Sequence, residues 1–309
     1  MYSSTPMPSI ELPSSPRNRS LSGSLLGRFR EGRPISAAEE ETAALPLRGW
    51  RGGAVLICCL AYTIFFTAPA SGGGVGEGGY LMLLSLPLKV LPALLLSGFA
   101  RRGASSSGDL SQTPLAQFKH FVGWGLLASA LGDLLLDLCE LPSLKEAAFI
   151  AGLASFLLAH VCYAAGFFLT TPNPVSPLVA VACVVPTTFI VSQLSPHILN
   201  SEEHRPLFAP VCVYIVVICV MWYFSLVRSL PSTSKQAFWL TAGGATAFLL
   251  SDTILAFDRF TPVLRDSGMW FLGRPKLLVM VTYYTAQCCI AAGAYLEREG
   301  RQRSKSKSH

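Results

Sequence analysis

The stretch GWGLLASALGDLLLDL, Gly123 to Leu138, decides the fold of the chain. With its flanks it approaches the roughly 20 apolar residues that a helix needs to cross the hydrocarbon core of a bilayer. Asp133 is set deep within it. A second stretch, AGGATAFLLSDTILAF, Ala242 to Phe257, repeats the arrangement with Asp252. A carboxylate at mid-helix in a bilayer costs about 2.5–3.5 kcal/mol on insertion scales, so each aspartate has to face inward, find partners or hold a proton.

Working outward, the remainder of the chain is of the same kind. Of its 309 residues 51% are hydrophobic and only 14% charged, where a soluble domain carries about a quarter charged residues. The charges gather in the ends and in short connectors between apolar runs. This pattern predicts an all-α polytopic membrane protein of about eight transmembrane helices. The expected spans are Ala54–Pro69, Tyr80–Ala100, Phe118–Leu138, Ala147–Leu169, Leu178–Leu194, Leu207–Arg228, Gln236–Phe257 and Lys276–Leu296. Together they form one membrane domain over residues 52–296, between a Ser/Pro/Arg-rich tail (1–50) and a basic tail (297–309).

The 1–50 tail is expected to be disordered and cytosolic. Arg17–Ser22 within it reads as a basophilic phosphorylation site, and its acid-poor start reads alternatively as an organelle transit sequence. It has no apolar run of the secretory type, so the first span is the expected insertion signal. The net charge of +6 suits an anionic membrane surface, and no nucleic-acid module is present. Both termini on the cytosolic side would put Arg48, Arg51, Arg101, Arg102, Arg228 and Lys235 on one face, as the positive-inside rule favours. Endomembrane, with the endoplasmic reticulum foremost, is the expected location. The nine cysteines lie in or at the ends of apolar segments without metal-ligand spacing, and read as packing residues; no metal or cofactor is expected.

The two aspartate contexts extend into a repeat. ALGDLLL around Asp133 resembles LLSDTIL around Asp252, and LAHVCYAAG (Leu158–Gly166) aligns with TAQCCIAAG (Thr285–Gly293), which sets His160 opposite Gln287. Four spans separate the partners, so a duplicated four-helix unit with a site at its pseudo-symmetric interface is expected.

Other polar residues sit at similar depth. Lys89 lies in the second span. His160 and Tyr163 share a face of the fourth, and Tyr283 and Gln287 share one of the eighth, with Tyr284 beside them. Gly125 and Ser129 precede Asp133 on its own face and Gly244 precedes Asp252, forming small-residue stripes that let backbones approach. Asp137 is placed at the membrane surface, and Asp258 and Arg259 in a solvated turn. Two carboxylates in one apolar pocket do not titrate alike, which can give an acid and a base in one site. A structural hydrogen-bonding knot between helices is the plainer alternative, and a proton or ion relay in a transporter or channel is a third.

In combination these motifs resemble the lysoplasmalogenase (YhhN-like) family. They are Gly132-Asp133; Phe149-Ile150-Ala151-Gly152 with His160-Val161-Cys162-Tyr163; Ser251-Asp252 with Arg259-Phe260; and Tyr283-Tyr284-Thr285-Ala286-Gln287. Lys89 matches a family lysine in an altered, proline-flanked context. The resemblance covers about residues 52–296. It implies an integral membrane enzyme that hydrolyses the vinyl ether bond of lysoplasmalogens, releasing a fatty aldehyde and glycerophosphocholine or glycerophosphoethanolamine. Water and a lysophospholipid would be its partners, and Asp133 and Asp252 its catalytic pair. Lys89, His160, Tyr163, Tyr283, Tyr284 and Gln287 would support or bind substrate. Vinyl ether hydrolysis needs an acid to protonate carbon and a carboxylate to stabilise the resulting cation, which a buried aspartate pair supplies. Lys89 then meets either the lipid phosphate or an aspartate. A family member that has lost activity and serves as a lipid-binding protein is a further possibility.

Overall fold

The computed structural model describes residues 59–62, 78–101, 113–139, 141, 143–171, 175–228, 235–262 and 275–306. Seven long helices run through them: α1 (Gly78–Ala100), α2 (Pro114–Leu138), α3 (Lys145–Leu169), α4 (Pro177–Leu199), α5 (Phe208–Val227), α6 (Lys235–Phe260) and α7 (Pro275–Ser306). A short 3₁₀ turn, Arg205–Leu207, leads into α5. No strand occurs among the described residues. Six helices, α2 to α7, are long and apolar enough to cross a membrane. The first expected span lies outside the described residues except at 59–62, so the expected eight are not all in view.

Span boundaries depart from the hydropathy reading where local chemistry extends a helix. α2 begins at Pro114 rather than Phe118 because Thr113 caps it: its Oγ1 accepts from the Ala116 amide at 3.2 Å, and proline fits the first turn, where its missing N–H costs nothing. α6 runs on through Asp258 and Arg259 to Phe260, and the arginine in its last turn complements the helix dipole.

The tightest pairs are α2 with α3 and α6 with α7, and α1 lies along α2. Small residues make them possible. A Cβ on Gly125 would stand 2.4 Å from the Tyr163 ring, and one on Gly244 would stand 2.8 Å from Ile290 and 2.9 Å from the Ala286 carbonyl. Between these pairs lies a core built around Phe118, Leu126, Tyr163, Phe167, Phe248 and Ile290. A smaller cluster of Leu194, Ile198, Val211 and Phe260 ties α4, α5 and α6 together at the end where α6 stops. Outward-facing apolar residues such as Leu178, Phe189, Val216 and Trp239 are exposed, as suits a lipid-facing surface.

Candidate active site

α2 carries Asp133 into the interior, where its residue is 1% exposed. The Tyr283 hydroxyl, from α7, donates to its Oδ2 at 2.6 Å. The Tyr283 ring is wedged edge-on against Phe156 and Phe248, which fixes the direction of the hydroxyl. α6 carries Asp252, whose side chain retains 18% exposure. Its Oδ2 accepts a hydrogen bond from the Tyr214 hydroxyl at 2.6 Å and lies 2.9 Å from His160 Nε2. His160 Nε2 is also 3.0 Å from the Tyr214 oxygen. Since that hydroxyl donates its hydrogen bond to Asp252, the histidine tautomer that completes the triangle carries its proton on Nε2. The imidazole is held edge-on by both Tyr214 and Phe248.

Both carboxylates line one cavity, walled by residues from every helix of α2 to α7. Leu153, Phe156, Ile190, Ile218 and Met280 make most of the wall apolar, while Asp133, Asp252, Tyr214, Tyr283 and Arg259 converge on it. Its volume is about 130 Å³, against the roughly 10–15 Å³ that one water needs. Several waters or a slender alkyl chain fit.

The expected site residues separate into two sets. Asp133, Asp252 and Tyr283 line the cavity, and His160 reaches it through Asp252. Lys89, Tyr163, Tyr284 and Gln287 do not line it. Lys89 Nζ donates to Asp137 Oδ1 at 2.6 Å, an aspartate outside the expected catalytic pair. The expectation for Asp137 is corrected accordingly. It lies near the end of α2 but is only 9% exposed, because one helical turn puts it on the face of Asp133, against α1. Tyr163 packs over Gly125 and against the Phe248 ring. Tyr284 stands edge-on to Tyr62. Gln287 is fully buried, and neither of its amide atoms has a hydrogen-bond partner among the described residues. Arg259 is the second correction: it stands in the last turn of α6, and it lines the cavity.

Tyr214 escaped the sequence reading. Its signal is a single hydroxyl in VYIVVICV, and a lone tyrosine in an apolar span reads as packing. Among the described residues no group of three His, Cys, Asp or Glu side chains gathers as a metal site would require, and the described cysteines are free thiols.

Fold and site together define a polytopic helical membrane protein with two inward carboxylates opening on one apolar cavity. The family model described as YhhN family matches residues 84–294, and the chain belongs to the YhhN family. A Mycobacterium bovis protein named lysoplasmalogenase is 29% identical over 245 residues, covering 74% of this chain and 84% of its own length. Human lysoplasmalogenase TMEM86B is 26% identical over 246 residues, 79% of this chain and 86% of its own. Bovine lysoplasmalogenase TMEM86A is 28% identical over 218 residues, 70% and 80% respectively. No solved structure gives a significant match.

Proposed function

We propose that the chain is a lysoplasmalogenase, hydrolysing the vinyl ether bond of lysophospholipids with Asp133 and Asp252 as the catalytic pair. The observation that carries this reading is the opening of both carboxylates, from α2 and α6, onto one apolar cavity. The names of the relatives point the same way.

The two sites differ in a manner that suggests roles. Asp252 Oδ2 receives the Tyr214 hydroxyl and faces His160 Nε2. Two donors on one oxygen are what an ionised carboxylate asks for. Asp133 receives the single Tyr283 hydroxyl in a sealed setting. Asp133 is therefore assigned as the acid that protonates the vinyl carbon beta to oxygen, giving an oxocarbenium ion. Asp252 stabilises that cation and takes a proton from the water that adds to the carbon bearing oxygen. The hemiacetal then collapses: its C–O bond to glycerol breaks, its hydroxyl proton passes to the leaving oxygen, and the aldehyde is released. The proton on Asp252 replaces the one Asp133 gave up, so one water is consumed per turnover. Choline and ethanolamine headgroups both belong to the proposed substrate class. An endomembrane location with both termini cytosolic, and an origin of the α2–α3 and α6–α7 pairs by duplication, complete the reading.

The test is aldehyde release from lysoplasmenylethanolamine by membranes that express the full chain and lack the activity otherwise. Wild type is expected to release aldehyde, and Asp133→Asn and Asp252→Asn each to reduce the rate by at least about 10²-fold, the lower range for acid–base groups. Wild-type release no higher than that of empty membranes would falsify the enzyme reading. Ion flux in proteoliposomes, lost in the same two variants, would replace it with a transporter.

A further inference from the structure

Among the described residues that line the cavity, Arg259 is a cation in no ion pair. Lys89, the cation that the sequence reading placed near the aspartates, is taken up by Asp137 and does not line the cavity. Arg259 lines the cavity, yet it has no carboxylate within salt-bridge reach and no hydrogen-bond partner among the described residues, and its Nε is buried. Leaving a buried donor unmade is costly, so such a group calls for an explanation. Its guanidinium carbon lies 4.9 Å from the centre of the Phe149 ring, a cation–π contact that holds the head in place and uses none of its N–H donors. A planar guanidinium with unmade donors matches the oxygens of a phosphate.

The spacing sets the distance to the reacting bond. Arg259 follows Asp252 by seven residues on α6, nearly two full turns, so both project from one face about 10 Å apart along the axis. In a lysoplasmalogen the phosphorus is six bonds from the vinyl ether carbon. Three backbone bonds span about 3.8 Å, so six reach about 7–8 Å when extended. The arginine side chain takes up the remainder.

We propose that Arg259 is the seat of the substrate's phosphodiester, placing the headgroup at the end of the cavity where α6 stops and the vinyl ether between Asp133 and Asp252. Phe149 is its positioning residue. The alkenyl chain lies along the apolar wall. This assignment rests on the lysoplasmalogenase reading for the identity of the lipid, and on the cavity alone for the phosphate.

Two measurements on the full-length protein separate these. The first compares lysoplasmenylethanolamine with 1-alkenylglycerol, which has the same vinyl ether and no phosphate. Arg259→Gln is expected to lower kcat/KM for the phospholipid about tenfold to hundredfold, mainly through KM, as loss of a charge-assisted pair implies. The alkenylglycerol rate should change less than about threefold, and Arg259→Lys should recover part of the loss because it keeps the charge without the fork. An equal fall on both substrates, or no fall on either, overturns the phosphate seat while leaving the enzyme reading intact. The second measures binding of a lysophospholipid whose vinyl ether is replaced by a saturated ether, in detergent. Wild type should bind it at least about tenfold more tightly than Arg259→Gln. Displacement by glycerophosphoethanolamine but not by inorganic phosphate assigns the seat to the diester; displacement by both makes it a general phosphate site. Equal affinity of the two proteins overturns the proposal. Arg259-dependent binding without aldehyde release in the first assay sinks the enzyme reading and keeps the seat.

Discussion

At the scale of single residues, the two aspartates differ in company more than in depth. Asp252 is held in a triangle with Tyr214 and His160, whereas Asp133 meets one phenol. If Tyr214 orients and polarises Asp252, Tyr214→Phe should lower kcat about tenfold with KM little changed, the scale of one hydrogen bond to a charged group. Aldehyde release against substrate concentration measures both. A fall in thermal stability with kcat unchanged would reduce Tyr214 to packing. Four members of the site were legible in the chain because an ionisable or hydrogen-bonding residue at bilayer depth is costly and has to be explained: Asp133, Asp252, His160 and Tyr283. Tyr283 was picked out by its shared face with Gln287, whereas Tyr214 stands alone among apolar neighbours, where a phenol reads as packing. Lys89 shows a second limit. Depth in the sequence says that a cation needs a partner, but only the packing of α1 on α2 decides that the partner is Asp137.

Helices set what those residues can reach. α6 carries Asp252 and Arg259 on one face, and α2 carries Asp133 and Asp137 on another. Each aspartate of the cavity is met by a side chain from the other tight pair: Tyr283 of α7 reaches Asp133, and His160 of α3 reaches Asp252. That exchange is what the proposed duplication would produce at a shared interface, though the sequence alignment sets His160 opposite Gln287, one turn beyond Tyr283. It depends on backbones that approach closely. Gly244→Leu is therefore expected to separate α6 from α7 and abolish both aldehyde release and a cooperative thermal transition, since its first added carbon already meets Ile290 and the Ala286 carbonyl. Gly243→Ala makes the control. Nothing lies within 4 Å of its Cβ position, so both readouts should stay near wild type. Loss of function in the alanine variant alone would contradict this assignment of faces. Hydropathy located these helices well because a bilayer demands continuous apolar length. It missed the ends by a few residues, where the Thr113 cap and the extra turn through Arg259 act on the backbone rather than on hydrophobicity. That extra turn is also what carries Arg259 into the cavity.

Across the whole bundle, the carboxylate cavity at one end is matched by a buried ion pair at the other. Arg228, just beyond α5, is fully buried and pairs with Glu297 of α7. Its Nε donates to Thr170 Oγ1 at 2.7 Å and its Nη1 to Thr241 Oγ1 at 3.3 Å, and its guanidinium lies 4.1 Å from the centre of the Phe118 ring. One side chain thus joins α2, α3, α5, α6 and α7. Sequence alone grouped Arg228 with the cations of one membrane face; its side chain turns inward because Thr170, Thr241 and Glu297, dispersed along the chain, converge there. Removing one partner of a buried pair costs about 3–5 kcal/mol, while replacing both with apolar residues of similar size is often close to neutral. Arg228→Met should therefore lower the thermal midpoint in detergent by several degrees. The double variant Arg228→Met, Glu297→Leu should recover most of that loss. Because the pair is remote from the cavity lining, kcat/KM of the single variant, measured well below its midpoint, should remain within about threefold of wild type. A large fall in kcat/KM at full stability would mean that this end of the bundle controls the geometry of the aspartates, and that the two ends move as one.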